Sequence, residues 1–84
     1  MVSQQDIQKQ IAFHIKNSGM TQTEIAKKLG IKQPTVSEYV YGRSFPSLET
    51  LANLCILLDV SADEILCIEE MQREKRKGMH KAQP

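Results

Sequence analysis

The sequence predicts an all-α, compact domain of five short helices, with a helix-turn-helix at the second and third. Apolar residues recur at helical spacing in successive stretches, and no stretch shows the alternation typical of a strand. Glycines and short polar residues separate these stretches where helices are expected to begin and end. Because 84 residues suffice for one small domain, we expect a single domain over residues 4–70, followed by a basic extension over residues 71–84.

The composition is typical of a globular protein, since 40% of the residues are hydrophobic and 25% are charged. The N-terminus lacks the basic region and apolar run of a secretory signal. The longest apolar stretch, residues 51–58, is interrupted by Asn53 and is too short to cross a bilayer. We therefore expect a cytoplasmic protein with no membrane partner.

No pattern in the sequence indicates a metal, a cofactor or catalysis. Cys55 and Cys67 are the only cysteines and form no Cys-x-x-Cys motif, while His14 and His80 lack ligand spacing. Both cysteines stand within apolar stretches, which favours buried thiols. No nucleophile–base pair, carboxylate constellation or phosphate-binding loop is present. We expect neither metal nor cofactor, and no enzymatic activity.

The first two helices are predicted from apolar spacing and from signals at their ends. Three isoleucines recur every four residues from Ile7 to Ile15, and a Ser-Gly pair ends this first helix. Thr21 and Glu24 have the spacing of a capping box, in which each side chain bonds the other's backbone amide. Gly30 is placed to end the second helix in a left-handed conformation.

The third helix is predicted to run from Gln33 to Tyr41. Pro34 stands in its first turn, where the missing amide costs nothing, and Gly42 is placed to end it. One side of this helix is apolar and is formed by Val36, Tyr39 and Val40. The other side is formed by Gln33, Pro34, Ser37, Glu38 and Tyr41.

The fourth helix is predicted to begin after Ser47 and to lie at the centre of the bundle, because its apolar stripe is wide. That stripe comprises Leu48, Leu51, Ala52, Cys55 and Leu58, widened by Leu54 and Ile56.

Ser61 and Glu64 form a second capping box at the start of a fifth helix. The fifth helix is predicted to carry Ile65, Leu66 and Ile68. It continues to residue 77 through acid-then-base ordering, with a flexible end after Gly78.

The charges of the chain are unevenly distributed, although the formal net charge is only +1. Basic residues exceed acidic ones by two in residues 21–47 and by four in residues 73–84. Local patches, rather than the total charge, set the field that a phosphate meets at short range. The two patches therefore suit double-stranded DNA, whose major groove accepts the second helix of a helix-turn-helix.

The pattern as a whole resembles the lambda-repressor-like helix-turn-helix family, which includes phage repressors, Cro proteins and xenobiotic-response-element type bacterial regulators. The resemblance covers residues 7–66 and combines residue types with their spacing across four helices. The motif reads Thr21-Gln22-Thr23-Glu24-Ile25-Ala26, Gly30-Ile31-x-Gln33-Pro34-Thr35-Val36-Ser37, Gly42-Arg43, Pro46-Ser47-Leu48-x-x-Leu51 and Leu58-x-Val60-Ser61-x-Asp63-Glu64-Ile65.

The resemblance implies a five-helix domain that docks its third helix in the major groove, usually as a two-fold homodimer. It also implies that Gln22 holds a phosphate and braces Gln33.

Two positions depart from the family's pattern. Lys32 stands where Ser or Thr often caps the third helix, and Val40, with Ile15 at the expected partner position, replaces a Glu–Arg pair. Packed aliphatic side chains often replace a buried ion pair at little cost.

Four residues on the polar side of the third helix are candidates for contacts with bases: Gln33, Pro34, Ser37 and Glu38. The Gln33 amide matches the donor and acceptor of adenine, the alternative being a solvated side chain that caps the helix. Pro34 suits a thymine methyl or serves helix initiation alone, and Ser37 suits several bases. Glu38 either accepts from cytosine or points into water.

Candidates for phosphate contacts flank these residues, and ordinary surface polarity is the alternative for each. They are Thr21, Gln22, Lys32, Thr35, Tyr41, Arg43 and Ser44. The basic tail either adds phosphate contacts or serves solubility.

The sequence therefore predicts a sequence-specific transcription regulator that binds double-stranded DNA, foremost a repressor at a (pseudo)palindromic operator. The alternative is an antitoxin-type protein that also sequesters a toxin. Intact Gln22, Gln33 and Ser37 argue against a third hypothesis, an interaction module that has lost DNA binding. The expected partners are DNA, a second copy, and a protein antagonist or toxin, with Ile68 and Met71 as candidates for the dimer face.

Overall fold

A computed structural model describes residues 1–68, and these residues contain five α-helices and no strand. The predicted all-α fold with five helices is confirmed. The helices are α1 (Gln4–Lys16), α2 (Gln22–Leu29), α3 (Gln33–Tyr41), α4 (Leu48–Leu58) and α5 (Ala62–Ile65).

Side chains at the helix starts satisfy the backbone amides that have no partner within the helix. The Thr21 hydroxyl accepts from the Glu24 amide at 3.1 Å, and the Glu24 carboxylate accepts from the Thr21 amide at 3.3 Å, which confirms the predicted capping box. Ser3 and Asp6 form an equivalent box on α1 that sequence analysis missed despite its matching spacing. The amide and hydroxyl of Ser3 hold the pKa of the Asp6 carboxyl below its ordinary value.

Each of the five helices contributes one side chain to the centre of the core. Ile11, Ile25, Val36, Leu54 and Ile65 are the largest fully buried side chains in the described residues. Burying a side chain of this size stabilises the folded state by about 1.5–3 kcal/mol. The core therefore requires all five helices, since each supplies one of its fully buried side chains. The longest helix has 13 residues.

The position of α4 differs from the prediction. Leu51, Leu54 and Cys55 are buried, but Leu48 and Ile56 are exposed, as is Ala52. The helix therefore buries one face against α2 and α5 and is not central to the bundle. Periodicity alone cannot separate these cases, because an exposed apolar row and a wide buried stripe give the same pattern.

The cysteines of the described residues occupy different environments. Cys55 is buried, as predicted, and burial raises the pKa of its thiol. Cys67, which the sequence also placed in the core, is only half-buried. Within residues 1–68, no group of three or more His, Cys, Asp and Glu side chains is arranged to hold a metal ion.

The fifth helix is shorter than predicted. α5 ends at Ile65, and Cys67 adopts a left-handed conformation with φ of 62°, which interrupts the predicted continuous helix. The Ser61 hydroxyl caps α5 by accepting from the Glu64 amide at 3.3 Å, but the reciprocal bond of the predicted capping box is not formed. The Glu64 carboxylate lies 3.8 Å from Nε2 of His14 on α1 instead. The predicted helical extension, the flexible end and Met71 fall on residues 69–84, outside the described residues.

None of the helices in residues 1–68 has the length and apolar character that a membrane span requires.

Candidate nucleic-acid interface

The α2–α3 pair forms the helix-turn-helix that the sequence predicts. Ile25 and Ala26 of α2 and Val36 of α3 are buried in the same core cluster. Gly30 ends α2 with φ of 71°, and the Ile31 amide donates to the Ala26 carbonyl at 3.0 Å. This left-handed turn reverses the chain within a few residues. The start of α3 is thereby fixed beside α2.

The two sides of α3 differ as predicted. Val36, Tyr39 and Val40 are buried, and burial raises the pKa of the Tyr39 hydroxyl. On the opposite side the candidate residues reach solvent. Gln33, Pro34, Glu38 and Tyr41 are exposed, and Ser37 is half-buried.

A side-chain hydrogen bond joins the starts of α2 and α3. Nε2 of Gln33 donates to Oε1 of Gln22 at 2.9 Å, so the two side chains stand in the relation that the family resemblance implies. A glutamine amide has two N–H donors and one carbonyl acceptor. The bond to Gln22 uses one N–H, and the second N–H and the carbonyl of Gln33 remain for another partner.

The residues proposed for phosphate contacts lie at the start of α2, at the start of α3 and around the end of α3. Lys32 directly precedes α3 and is exposed, and no side chain caps the helix there, as its departure from Ser or Thr predicts. The Thr21 hydroxyl is engaged in its capping box, since it also donates to the Glu24 carboxylate at 3.2 Å. Gln22, Thr35 and Ser44 are half-buried.

Past the end of α3, the guanidinium of Arg43 lies 5.9 Å from the centre of the Tyr41 ring. A cation over an aromatic face at this distance is weakly attracted to it. Both side chains are exposed. The contact therefore gives Arg43 a preferred position beside α3 without removing its charge from the surface.

Gln8 of α1 holds the end of α3, and sequence analysis missed this role. Its Nε2 donates to the Val40 carbonyl at 2.9 Å and lies 3.5 Å from the Tyr39 carbonyl. The Val40 carbonyl belongs to the last turn of α3, where carbonyls lack helical partners, whereas the Tyr39 carbonyl also accepts from the Gly42 amide at 3.3 Å. The bonded residues are 32 positions apart in the chain, so no local spacing signals the contact.

The position where the family resemblance implies a Glu–Arg pair is apolar here, as the sequence indicates. Ile15 is 2% exposed and Val40 is 5% exposed, and both belong to the core cluster. α1 therefore fixes the C-terminal half of α3 through aliphatic packing and through the polar contact from Gln8. Because Ile15 and Val40 are both buried, their apolar character leaves the exposed side of α3 unchanged.

The fold and the site define a helix-turn-helix protein, and comparisons with known proteins agree. A family model described as a helix-turn-helix matches residues 15–65. The uncharacterized HTH-type transcriptional regulator YqaE of Bacillus subtilis (strain 168) is 41% identical over 51 residues, which are 61% of this chain and 44% of that protein. The ImmF control region 10 kDa protein of Bacillus phage phi105 is 33% identical over 67 residues, which are 80% of this chain and 73% of that protein.

The chain belongs to the Cro/cI-type, xenobiotic-response-element helix-turn-helix family, a family of DNA-binding domains. It spans less than half the length of the Bacillus subtilis relative and about three quarters of the phage relative. No solved structure matches the chain at a significant level.

Replacing Gly42 by Ala tests the contact between α1 and the end of α3. Gly30 and Gly42 have nearly the same φ, 71° and 74°, so a side chain at either position costs about 1–2 kcal/mol of left-handed strain. A Cβ at Gly42 would also lie 3.0 Å from the Gln8 side chain, whereas Gly30 has open space. Displacing Gln8 should add about 1 kcal/mol through its lost hydrogen bond.

We expect Gly42→Ala to lower the free energy of unfolding more than Gly30→Ala does, measured by urea denaturation. The excess should disappear in a Gln8→Ala background. Equal losses for the two glycines in the unsubstituted background would contradict the role assigned to Gln8.

Proposed function

We propose that this chain is a sequence-specific transcription regulator that binds double-stranded DNA with α3 in the major groove. The observation that carries the proposal is the hydrogen bond between Gln22 and Gln33 at the exposed start of α3. This bond orients the Gln33 amide before any ligand arrives. A preorganised side chain loses less conformational entropy on binding than a mobile one.

The exposed side of α3 has the chemistry needed to read bases. The N–H and carbonyl of Gln33 that Gln22 leaves unused are the pair that adenine N7 and N6 require. Pro34 offers an apolar contact for a thymine methyl, and Ser37 lies one turn after Gln33 on the same side. Glu38 is exposed and would accept from cytosine.

Cationic side chains flank α3 and favour phosphate as their partner. Lys32 precedes the helix and Arg43 follows it, and both are exposed. A nine-residue helix is about 13.5 Å long, so the two cations stand at opposite ends of the proposed reading surface. Contacts of this kind set the register of a protein on DNA without reading sequence.

The proposal extends to a repressor that acts as a homodimer on a (pseudo)palindromic operator. A two-fold protein presents two α3 helices to half-sites one helical turn apart. The phage relative is a control region protein, which supports a regulatory role. An antitoxin-type role would require a toxin-binding segment. The candidates are an exposed helix face and the tail, residues 69–84, which lies outside the described residues.

Replacing Gln33 by Ala tests the assignment of base reading. The bidentate contact with one adenine is lost, so affinity for preferred sites should fall by about 1–3 kcal/mol and preference should relax at one base position. Selection of bound sites from random DNA, carried out with the unsubstituted chain and with Gln33→Ala, measures both effects. An unchanged preference would remove Gln33 from the reading surface.

The same selection tests the proposed function as a whole. A two-fold symmetric site is expected from the unsubstituted chain. Failure to enrich any sequence would contradict specific DNA binding.

Replacing Lys32 or Arg43 by Ala tests the assignment of phosphate contacts. Each substitution should weaken binding to all sequences alike and reduce the slope of log affinity against log salt by about 1. Lys9→Ala, at an exposed lysine of α1, is the matched control and should leave the slope unchanged. A loss that depends on the DNA sequence would contradict the assignment.

A further inference from the structure

Three helices of the described residues end in the same kind of left-handed turn. α2 ends at Gly30, α3 at Gly42 and α4 at Asp59, with φ of 71°, 74° and 54°. In each turn, the amide of the left-handed residue donates at 3.3 Å to the carbonyl three positions earlier. The next amide donates to the carbonyl five positions earlier, at 3.0 Å after α2 and α4 and at 2.9 Å after α3. The three turns are therefore equivalent in their backbone bonding.

Within residues 1–68, only the turn after α3 receives a further hydrogen bond from another helix. Nε2 of Gln8 on α1 donates to the Val40 carbonyl at 2.9 Å and lies 3.5 Å from the Tyr39 carbonyl. The Gln8 side chain also lies against Gly42, since a Cβ at Gly42 would meet its carbon atoms at 3.0 Å. Gln8 therefore contacts the last turn of α3 and the glycine that ends it.

The turn after α3 is also the one that places a cation beside the proposed reading surface. Arg43 directly follows Gly42, whereas apolar residues follow the other two turns. The Arg43 side chain is exposed, and its guanidinium lies 5.9 Å from the centre of the Tyr41 ring. Because its backbone amide bonds the Glu38 carbonyl, the position of Arg43 depends on the turn that Gln8 contacts.

We propose that Gln8 is a positioning residue for DNA binding, which sets the place of Arg43 against a phosphate of the backbone. This role rests on the proposed function, in which Arg43 contacts phosphate. The hydrogen bond from α1 limits how far the last turn of α3 can move, so the side chain that leaves this turn explores a smaller volume. Binding a phosphate from such a prepared position costs less conformational entropy. Gln8 acts through Arg43 and reads no base.

The position of Gln8 separates affinity from base preference. Gln8 contacts the end of α3, while the bond between Gln22 and Gln33 fixes its start. Phosphate contacts position the protein on DNA, and base contacts set the preferred sequence. Loss of the Gln8 bond should therefore weaken binding to all sequences alike and leave the preferred sequence unchanged.

Replacing Gln8 by Met removes the donor and keeps a side chain of similar length. Gln8→Met should weaken binding to the duplex enriched by selection about fivefold, the effect of losing roughly one hydrogen bond. The slope of log affinity against log salt should fall by about 1 or less, because at most one phosphate contact is lost. A loss of stability alone would leave this slope unchanged.

A double-mutant cycle tests whether Gln8 acts through Arg43. In an Arg43→Ala background, Gln8→Met should cause no further loss of affinity or of salt slope, because the side chain that Gln8 positions is absent. Losses that simply add in the double variant would overturn the proposal.

Two control variants separate positioning from general effects. Gln10→Met makes the same substitution at another half-buried glutamine of α1. Ser61→Ala removes the hydroxyl that caps α5, which costs a free energy of unfolding similar to that of one lost hydrogen bond. Both variants should bind the duplex with the affinity and salt slope of the unsubstituted chain. A Ser61→Ala chain that matched Gln8→Met in both would contradict the proposal.

Hydrogen exchange of backbone amides tests the contact without DNA. Gln8→Met should raise the exchange rate of the Arg43 amide several-fold, because its bond to the Glu38 carbonyl opens more often. The Ile31 amide makes the equivalent bond after α2 and should keep its rate. Equal changes at both amides, or no change at Arg43, would contradict the role of Gln8.

The outcomes separate this role from the proposed function. If Gln8→Met and the unsubstituted chain bind the duplex equally and with the same salt slope, positioning by Gln8 is refuted and DNA binding stands. If the unsubstituted chain binds no duplex, the proposed function fails and the role of Gln8 fails with it.

Discussion

The burial of one side of α3 is the constraint on which the rest of the structure depends. Val36 is fully buried, and Tyr39 and Val40 are nearly so, which ties a nine-residue helix to the core along its length. A helix this short is marginal in water by itself. Packing therefore supplies most of its stability and also fixes its rotation. Once Val36 points inward, Pro34 and Glu38, two residues away on either side, have to face solvent because of the helical period. Gln33 is exposed because it is the first residue of the helix.

The two ends of α3 are fixed by different means. At its start, the left-handed turn at Gly30 and the bond from Gln33 to Gln22 set the helix against α2. At its end, Gln8 of α1 bonds the Val40 carbonyl across 32 positions of sequence. Residues of α1 and α2 therefore hold α3, and with it the proposed reading surface, in position. Buried Ile15 and Val40 belong to the core cluster at this junction, beside the one polar contact from Gln8.

Local signals predicted the ends of α2 and α3, and contacts between distant residues account for the errors elsewhere. The capping box of Thr21 and Glu24 depends on residues a few positions apart, and so do the bounds of α3. Both can therefore be predicted from spacing in the sequence. The opposite sides of α3 follow from periodicity in the same way. The Gln22–Gln33 bond was expected from the family resemblance and is present.

The bond from Gln8, the exposure of Ile56 and the end of α5 at Ile65 had no local signal. Each depends on which helix packs against which, and periodicity does not specify this.

We propose that the α2–α3 unit presents one preorganised surface to DNA. Mapping of backbone amides by nuclear magnetic resonance tests this proposal most directly. Isotope-labelled protein would be titrated with a duplex at low salt, where non-specific binding is strong. We expect the largest shifts at the amides of Gln22, Gln33 and Arg43 and at those from Thr35 to Glu38, since Pro34 has no amide proton. Shifts confined to α1, to the exposed face of α4 or to residues 69–84 would contradict the proposal.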